Sequence, residues 1–324
     1  MIILLNQYAV KLNIEAGVFC ISSPEVGDRK VSPYKVKAFH VYKSASITTG
    51  AMLLANKHQI PIIIHENNYQ PAVRIHSTTY GNHPHIRRQQ CLFSASNNKL
   101  DWCKQNIIRK AEGQAKNISW ISLRGQHGPE FQRWEVHFNL AIQRLVDGGH
   151  ELQEIRMHEA QISKAYWHLL SLDMRKFLPF SCRNFHPAKD EFNAALNYLY
   201  GMLYNQIETA ALSAGLDPQV GFMHADQYGS SGLVYDLIEP YRPVCDELLL
   251  KLAHQSKVTV QLFEKQTSGC TITESGIAHL VQGYLKRMTE RETYKGKQVR
   301  LKDKIVYMCF ELARYLTKEF DFNA

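Results

Sequence analysis

The chain has 324 residues, 45% hydrophobic and 21% charged, an ordinary globular composition with no low-complexity tract and no internal repeat. Its formal net charge of +8 favours an anionic partner, nucleic acid first. No stretch approaches the roughly 18 apolar residues that a membrane span needs, and the apolar run at the N-terminus stops at Asn6, too short for a signal peptide. The expectation is a soluble, cytoplasmic protein. Seven cysteines are scattered from Cys20 to Cys309 with no CxxC pair, which argues against a disulfide framework or a thiolate zinc site.

Residues 1 to about 80 read as strands. "AVKLNIEAGVFCISS" holds two β-rich runs around Glu15-Ala16-Gly17, a hairpin signal. "VKAFHVY" alternates, and "IPIIIHE" is a short apolar strand that would leave a sheet edge to be covered. Between them "TTGAMLLANKHQ" predicts one helix, with Thr48 or Thr49 as its cap. Gly81, Asn82 and Pro84 then break the pattern, and the period becomes helical. Amphipathic stretches begin at "HIRRQQ" and recur at about 130–146, 151–172, 190–214, 243–254, 274–290 and 300–318. The fold class is α+β: a small N-terminal β domain (1–80) with one inserted helix, a linker (81–88) and a larger all-α domain (89–324).

Four stretches of the helical part can carry chemistry. In "MHEAQISKAYW", Glu159, Ser163 and Tyr166 share one helix face. His158-Glu159 begins like a zincin motif, but Ile162 stands where the second His is required. In "DEFNAALNYLYGMLY", Asp190 sits at an N-cap, and Asn193 and Asn197 follow on a polar stripe that either is solvated or faces a polar site. In "GFMHADQYGSSGLVYDLIEP", His224, Asp236 and Glu239 stand in a stretch that otherwise looks half buried, and a helical turn puts both carboxylates on one side. An imidazole with two or three carboxylates suits Mg²⁺ or Mn²⁺. The alternative is a hydrogen-bonded core His, with Arg242 paired to Asp236 or Glu239. Finally, Lys286–Lys304 holds eight basic residues against three acids around the turn "YKGKQ". It is either a phosphate-contacting patch or a solvated helix–loop–helix edge. The "HPH" at 83–85 has no acid beside it and is a poor metal site.

"MHEAQISKAYW", "RNFHPAKDEFNAALNYLYGMLY", "AGLDPQVGFMHADQYGSSGLVYDLIEPYRP" and "YKGKQVRLKDKI" follow one another as they do in Cas1, the CRISPR adaptation integrase, and the chain resembles that family over nearly its whole length. The most specific element is the GLDP…GF-x-H…D-x-x-E-P-x-R-P block together with D-x-x-N-A-x-L-N-Y. The resemblance implies a divalent cation, Mg²⁺ or Mn²⁺, held by Glu159, His224 and Glu239, with Asp236 a neighbouring acid of the catalytic set. Here Glu239 stands where some relatives have Asp, and Ala160 where many have Gly; neither change removes a ligand. The basic residues that many relatives carry around "HADQYGSSG" are missing here. The resemblance further implies a DNA endonuclease and integrase that inserts protospacer DNA into a CRISPR repeat by 3′-hydroxyl attack on a phosphodiester. Its partners would be double-stranded DNA, a second copy of the chain through the β domain, and a Cas2-like dimer. Tyr166, Asn193, Asn197 and Arg242 are the remaining residues expected to line the site. Arg183, Lys286, Arg287, Lys295, Lys297 and Arg300 are the expected DNA contacts. Two rival classes are a non-catalytic DNA-binding scaffold whose acids only pair with Arg242 and Arg183, and a metal phosphohydrolase of small substrates.

Overall fold

The computed structural model describes residues 2–24, 27–36, 38–42, 44–65, 71–75, 83–125, 127–185, 187–224, 231–267 and 269–318. The break expected at Gly81-Asn82 and the centre of the "HADQYGSSG" segment lie outside these residues. The chain divides into two compact units, Met1–Asn82 and His83–Ala324.

The first unit has two four-stranded sheets built from β1 (Ile2–Leu5), β2 (Lys11–Glu15), β3 (Val18–Ser23), β4 (Gly27–Val31), β5 (Ala38–Val41), β6 (Ser46–Ile47), β7 (Ile62–His65) and β8 (Pro71–Ile75). One sheet runs β1-β5-β7-β8 and the other β4-β3-β2-β6. The β2–β3 hairpin turns through Ala16 and Gly17, both at positive φ, the geometry that matches the strands' own twist. The inserted helix α1 (Thr49–Lys57) is capped by Thr48, whose hydroxyl accepts from the Ala51 N–H. Leu5, Leu12, Phe19, Phe39 and Ile62 anchor one core, against which α1 buries Ala51 and Ala55. One expectation is corrected here. The apolar strand β7 is no edge, because it pairs with β5 on one side and β8 on the other. Its unbroken run of isoleucines is what an interior strand requires.

The second unit is mainly helical: α2 (Pro84–Ala95), α3 (Lys99–Ser122), α4 (Pro129–Asp147), α5 (Leu152–Met174), α6 (Glu191–Ser213), α7 (Gly232–Ile238), α8 (Arg242–His254), α9 (Glu274–Thr289) and α10 (Leu301–Lys318). It is not all-α. Two hairpins interrupt it, β9 (Phe263–Gln266) with β10 (Gly269–Ile272), and β11 (Arg291–Tyr294) with β12 (Lys297–Arg300). The second replaces the expected helix–loop–helix edge, and its turn places Lys295 and Gly296 at positive φ. Residues 84–88, expected as linker, are already the first turn of α2, because Pro84 lacks only a donor that a helix's first turn leaves unpaired anyway. Among the described residues no helix is long and apolar enough to cross a membrane.

Candidate active site

The expected acids and the expected histidine come from different elements, and packing within the second unit brings these together. Glu159 lies on α5. Glu239 opens a 3₁₀ turn, Glu239–Tyr241, between α7 and α8. Both carboxylates meet the ammonium of Lys110 on α3, at 2.5 Å from Glu159 Oε1 and 2.6 Å from Glu239 Oε2. Gly113 lets α3 come this close, since a Cβ there would stand 2.8 Å from Pro243. Ser163 adds a hydrogen bond to Glu159 Oε1 at 2.9 Å, as their shared face predicts. The Arg242 Nε–H donates to Glu239 Oε1 at 2.9 Å. The pairing alternative for Glu239 is thus present in the structure.

Burial works against the charge on Glu239, but Arg242 and Lys110 more than offset it and hold its carboxyl at about 2. Burial likewise works against the Lys110 ammonium, and Glu239 and Glu159 raise it above the usual lysine value. Although Lys110 is close, Glu239 Oε2 is buried and makes no hydrogen bond, so its contact is an ion pair without donor alignment.

His224 is held from behind. Its Nδ1 lies 2.7 Å from Asp236 Oδ1, which leaves Nε2 as the ring nitrogen turned away from that carboxylate. Asp236 is fully occupied: it also accepts from the backbone N–H groups of Phe222, Met223 and His224. It therefore orients the histidine and closes the turn that carries it. Two glycines permit that turn. A Cβ on Gly232 would lie 2.2 Å from the His224 carbonyl oxygen, and one on Gly221 would lie 2.8 Å from it. Arg156, on the helix of Glu159, donates to the Met223 carbonyl and ties α5 to this segment. His224 lies close enough to Glu239 for the two side chains to interact electrostatically. The side chains of Glu159 and His224 are 27% and 37% exposed, against 6% for Glu239. Among the described residues no three His, Cys, Asp or Glu side chains form a ready-made metal cage. Lys110 stands at the point where the two carboxylates converge.

The other expected site residues have different surroundings. Tyr166 is fully buried, donates to Asp246 Oδ2 at 2.9 Å and accepts from Asn117. Burial beside Asp246 pushes its phenol far up, and its hydroxyl is engaged in these two hydrogen bonds. Asn193 and Asn197 accept from the guanidinium of Arg183 at 2.9 and 2.6 Å, so their stripe forms a hydrogen-bonded cluster with that arginine. Arg183 is thereby engaged within the protein, above the ring of Phe185. Among the expected basic contacts, Arg287 pairs with Glu247, Glu290 and Glu292, Lys295 with Glu311, and Arg300 with Asp303. Among the described residues Lys286 and Lys297 are exposed and make no ion pair.

Sequence reasoning missed Lys110, Gln90 and Asp246. Gln90, on α2, is fully buried and bonds the backbone of Asp217 and Val220, holding the loop that leads to His224. The available signal was on α3: Asn106, Lys110, Gln114 and Asn117 form a polar stripe at helical spacing within a helix that is apolar on its neighbouring face.

The family described as CRISPR associated protein Cas1 matches residues 3–286. The chain belongs to the Cas1 family. It is 25% identical over 334 aligned positions to a CRISPR-associated endonuclease Cas1 of Archaeoglobus fulgidus, covering 98% of this chain and 96% of the relative. It is 28% identical over 265 positions to one of Saccharolobus solfataricus, covering 78% and 72% of the two chains. Among solved structures, a casposase bound to integration product superposes with a TM-score of 0.83 at 22% identity, covering 99% of this chain and 92% of that one. A Cas1 protein from Thermotoga maritima superposes with a TM-score of 0.80 at 16% identity, covering 98% and 97%. These two likenesses establish the fold.

Proposed function

We propose that the chain is a divalent-metal-dependent DNA integrase and endonuclease of CRISPR adaptation. The observation that carries this reading is the convergence of Glu159 and Glu239 on one cation position, beside an imidazole whose other nitrogen is fixed by Asp236. The donor set fits a hard cation: two carboxylates, one of them with a buried oxygen that makes no hydrogen bond, and a histidine with Nε2 available. Glu159, Glu239 and His224 would hold Mg²⁺ or Mn²⁺, which when bound supplies charge stabilisation to the reacting phosphate. Asp236 keeps the His224 ring in one tautomer and orientation. Arg242 keeps Glu239 ionised, so that no proton has to leave that carboxyl at neutral pH. In strand transfer a DNA 3′-hydroxyl forms a new phosphodiester at the target phosphorus, and the target's own 3′-oxygen leaves. The number of phosphodiesters is conserved, so the reaction needs no external energy source.

The partners we propose are protospacer and repeat DNA, a second copy of the chain and a Cas2-like dimer. The basic balance of the sequence and a relative solved as a Cas6-RT-Cas1–Cas2 complex support this. Light scattering should give about twice the chain mass. A second reading, a non-catalytic scaffold, is favoured by the ion pairs that already neutralise both acids. Strand transfer measured with Mn²⁺, and again with EDTA, separates the two. Glu159→Gln should lower the rate by about a thousandfold or more while DNA binding persists. Transfer at the wild-type rate by Glu159→Gln would remove the metal-dependent reading.

A further inference from the structure

The polar stripe of α3 accounts for most of its own hydrogen bonds. Asn106 donates to the Asp236 carbonyl, and Asn117 donates to the Tyr166 hydroxyl and the Pro243 carbonyl. Lys110 reaches Glu159 and Glu239. Gln114 differs: it is 1% exposed, and its Oε1 is buried with no hydrogen-bond partner. It lies one helical turn beyond Lys110 on the same face, and a helical side chain leans back over the preceding turn.

An ammonium and a divalent cation compete for the oxygens at which Lys110 sits. Its nitrogen stands 2.5 and 2.6 Å from Glu159 Oε1 and Glu239 Oε2, the position at which both acids would meet a divalent cation. Without a cation at that position, Glu239 would keep only Arg242 and Glu159 only the Ser163 hydroxyl, and the two carboxylates would repel each other. We infer that Lys110 is a built-in competitor of the metal: its ammonium holds the acid pair together until a divalent cation displaces it, and Gln114 Oε1 is the acceptor that receives it. This rests on the metal-dependent reading proposed above. Metal affinity is then lower than the ligand set alone would give, and loading of the site is coupled to movement of one side chain.

The test is a titration of the full, metal-free chain with Mn²⁺ alone, free Mn²⁺ being followed by electron paramagnetic resonance. Lys110→Met keeps the length and removes the charge, and it should bind Mn²⁺ at least tenfold more tightly than the wild type. A second measurement needs no variant: acetylation of the Lys110 amine, read by mass spectrometry, should rise severalfold when Mg²⁺ is added to the wild type. That result decides the question if Lys110→Met does not fold. Mn²⁺ binding of equal or lower affinity in the variant, or Lys110 acetylation indifferent to Mg²⁺, would overturn the inference and leave the metal reading intact. No Mn²⁺ binding by either protein would overturn both.

Discussion

Glu239 and Asp246 are buried carboxylates on adjoining elements, and their surroundings drive them in opposite directions. Glu239 lies between two cations, Lys110 and Arg242, and is held at about 2 although burial opposes its charge. Asp246 lies between two phenols, with Tyr200 donating to Oδ1 at 2.6 Å and Tyr166 to Oδ2 at 2.9 Å. Burial dominates there and raises its carboxyl to about 6, the two hydroxyl bonds offsetting only part of it. Neutral donors satisfy lone pairs but bring no charge. The first environment keeps a buried carboxylate ionised, and the second makes a joint among α5, α6 and α8. Sequence alone presents both as acids in an apolar stretch, and what separates them is supplied by α3 and α6.

The two carboxylates should therefore respond differently to removal of their charge. In metal-free protein Glu239→Gln leaves Lys110 and Arg242 short of an anion and should cost about 3–5 kcal/mol, read from urea midpoints at pH 7. Asp246→Asn should instead alter the pH dependence. Because the folded pKa of Asp246 lies above the unfolded value of 3.8, its contribution is fully present below about 3.8 and is lost as pH rises through about 6. That loss is about 3 kcal/mol, and the Asn variant should show a flatter stability profile between pH 4 and 6. For Glu239 the sign is reversed: its contribution is present above about 4.5 and is lost as pH falls towards about 2. Equal profiles for the two variants would erase the distinction between the sites.

Backbone placement gives the next largest effect. Gly232→Ala puts a methyl group where the His224 carbonyl now lies, so the turn must move. A displacement of about 1 Å should lower strand transfer by about 100-fold. Non-specific DNA affinity should change little; a parallel loss of both would place the effect on the fold. The smallest effect is expected at the β11–β12 hairpin. Two of its four basic residues, Lys295 and Arg300, already have acidic partners, while among the described residues Lys297 is exposed without one. Lys297→Ala should reduce the slope of log affinity against log salt by about 1. An unchanged slope would make this hairpin a solvated edge.

Much of the fold was legible because it is local. Thr48 and Asp190 cap the helices expected of them, and Ala16-Gly17 makes the expected hairpin turn. The C-terminal hairpins were not legible as strands, since four-residue runs such as "RETY" and "KQVR" are mixed in polarity and carry no apolar alternation. The position of β7 inside its sheet depends on pairing with β5 and β8, which is not a local property. In the candidate site, Glu159, His224 and Glu239 are legible from motif residues and from the family resemblance. The tethering of Asp236 by three backbone N–H groups and the ammonium of Lys110 between the acids are matters of tertiary packing. The polar stripe of Asn106, Lys110, Gln114 and Asn117 marks a face of α3, but which acids that face meets is decided by packing against α5 and the Glu239 turn.

The central claim is that Glu159 and Glu239, with His224, hold one divalent cation. The most direct measurement is anomalous scattering from crystals of the protein grown with Mn²⁺. The account predicts a peak within about 2.5 Å of carboxylate oxygens of both Glu159 and Glu239 and of His224 Nε2, with the Lys110 ammonium moved away. No peak at these residues, with Lys110 still bridging the two acids at millimolar Mn²⁺, would contradict it.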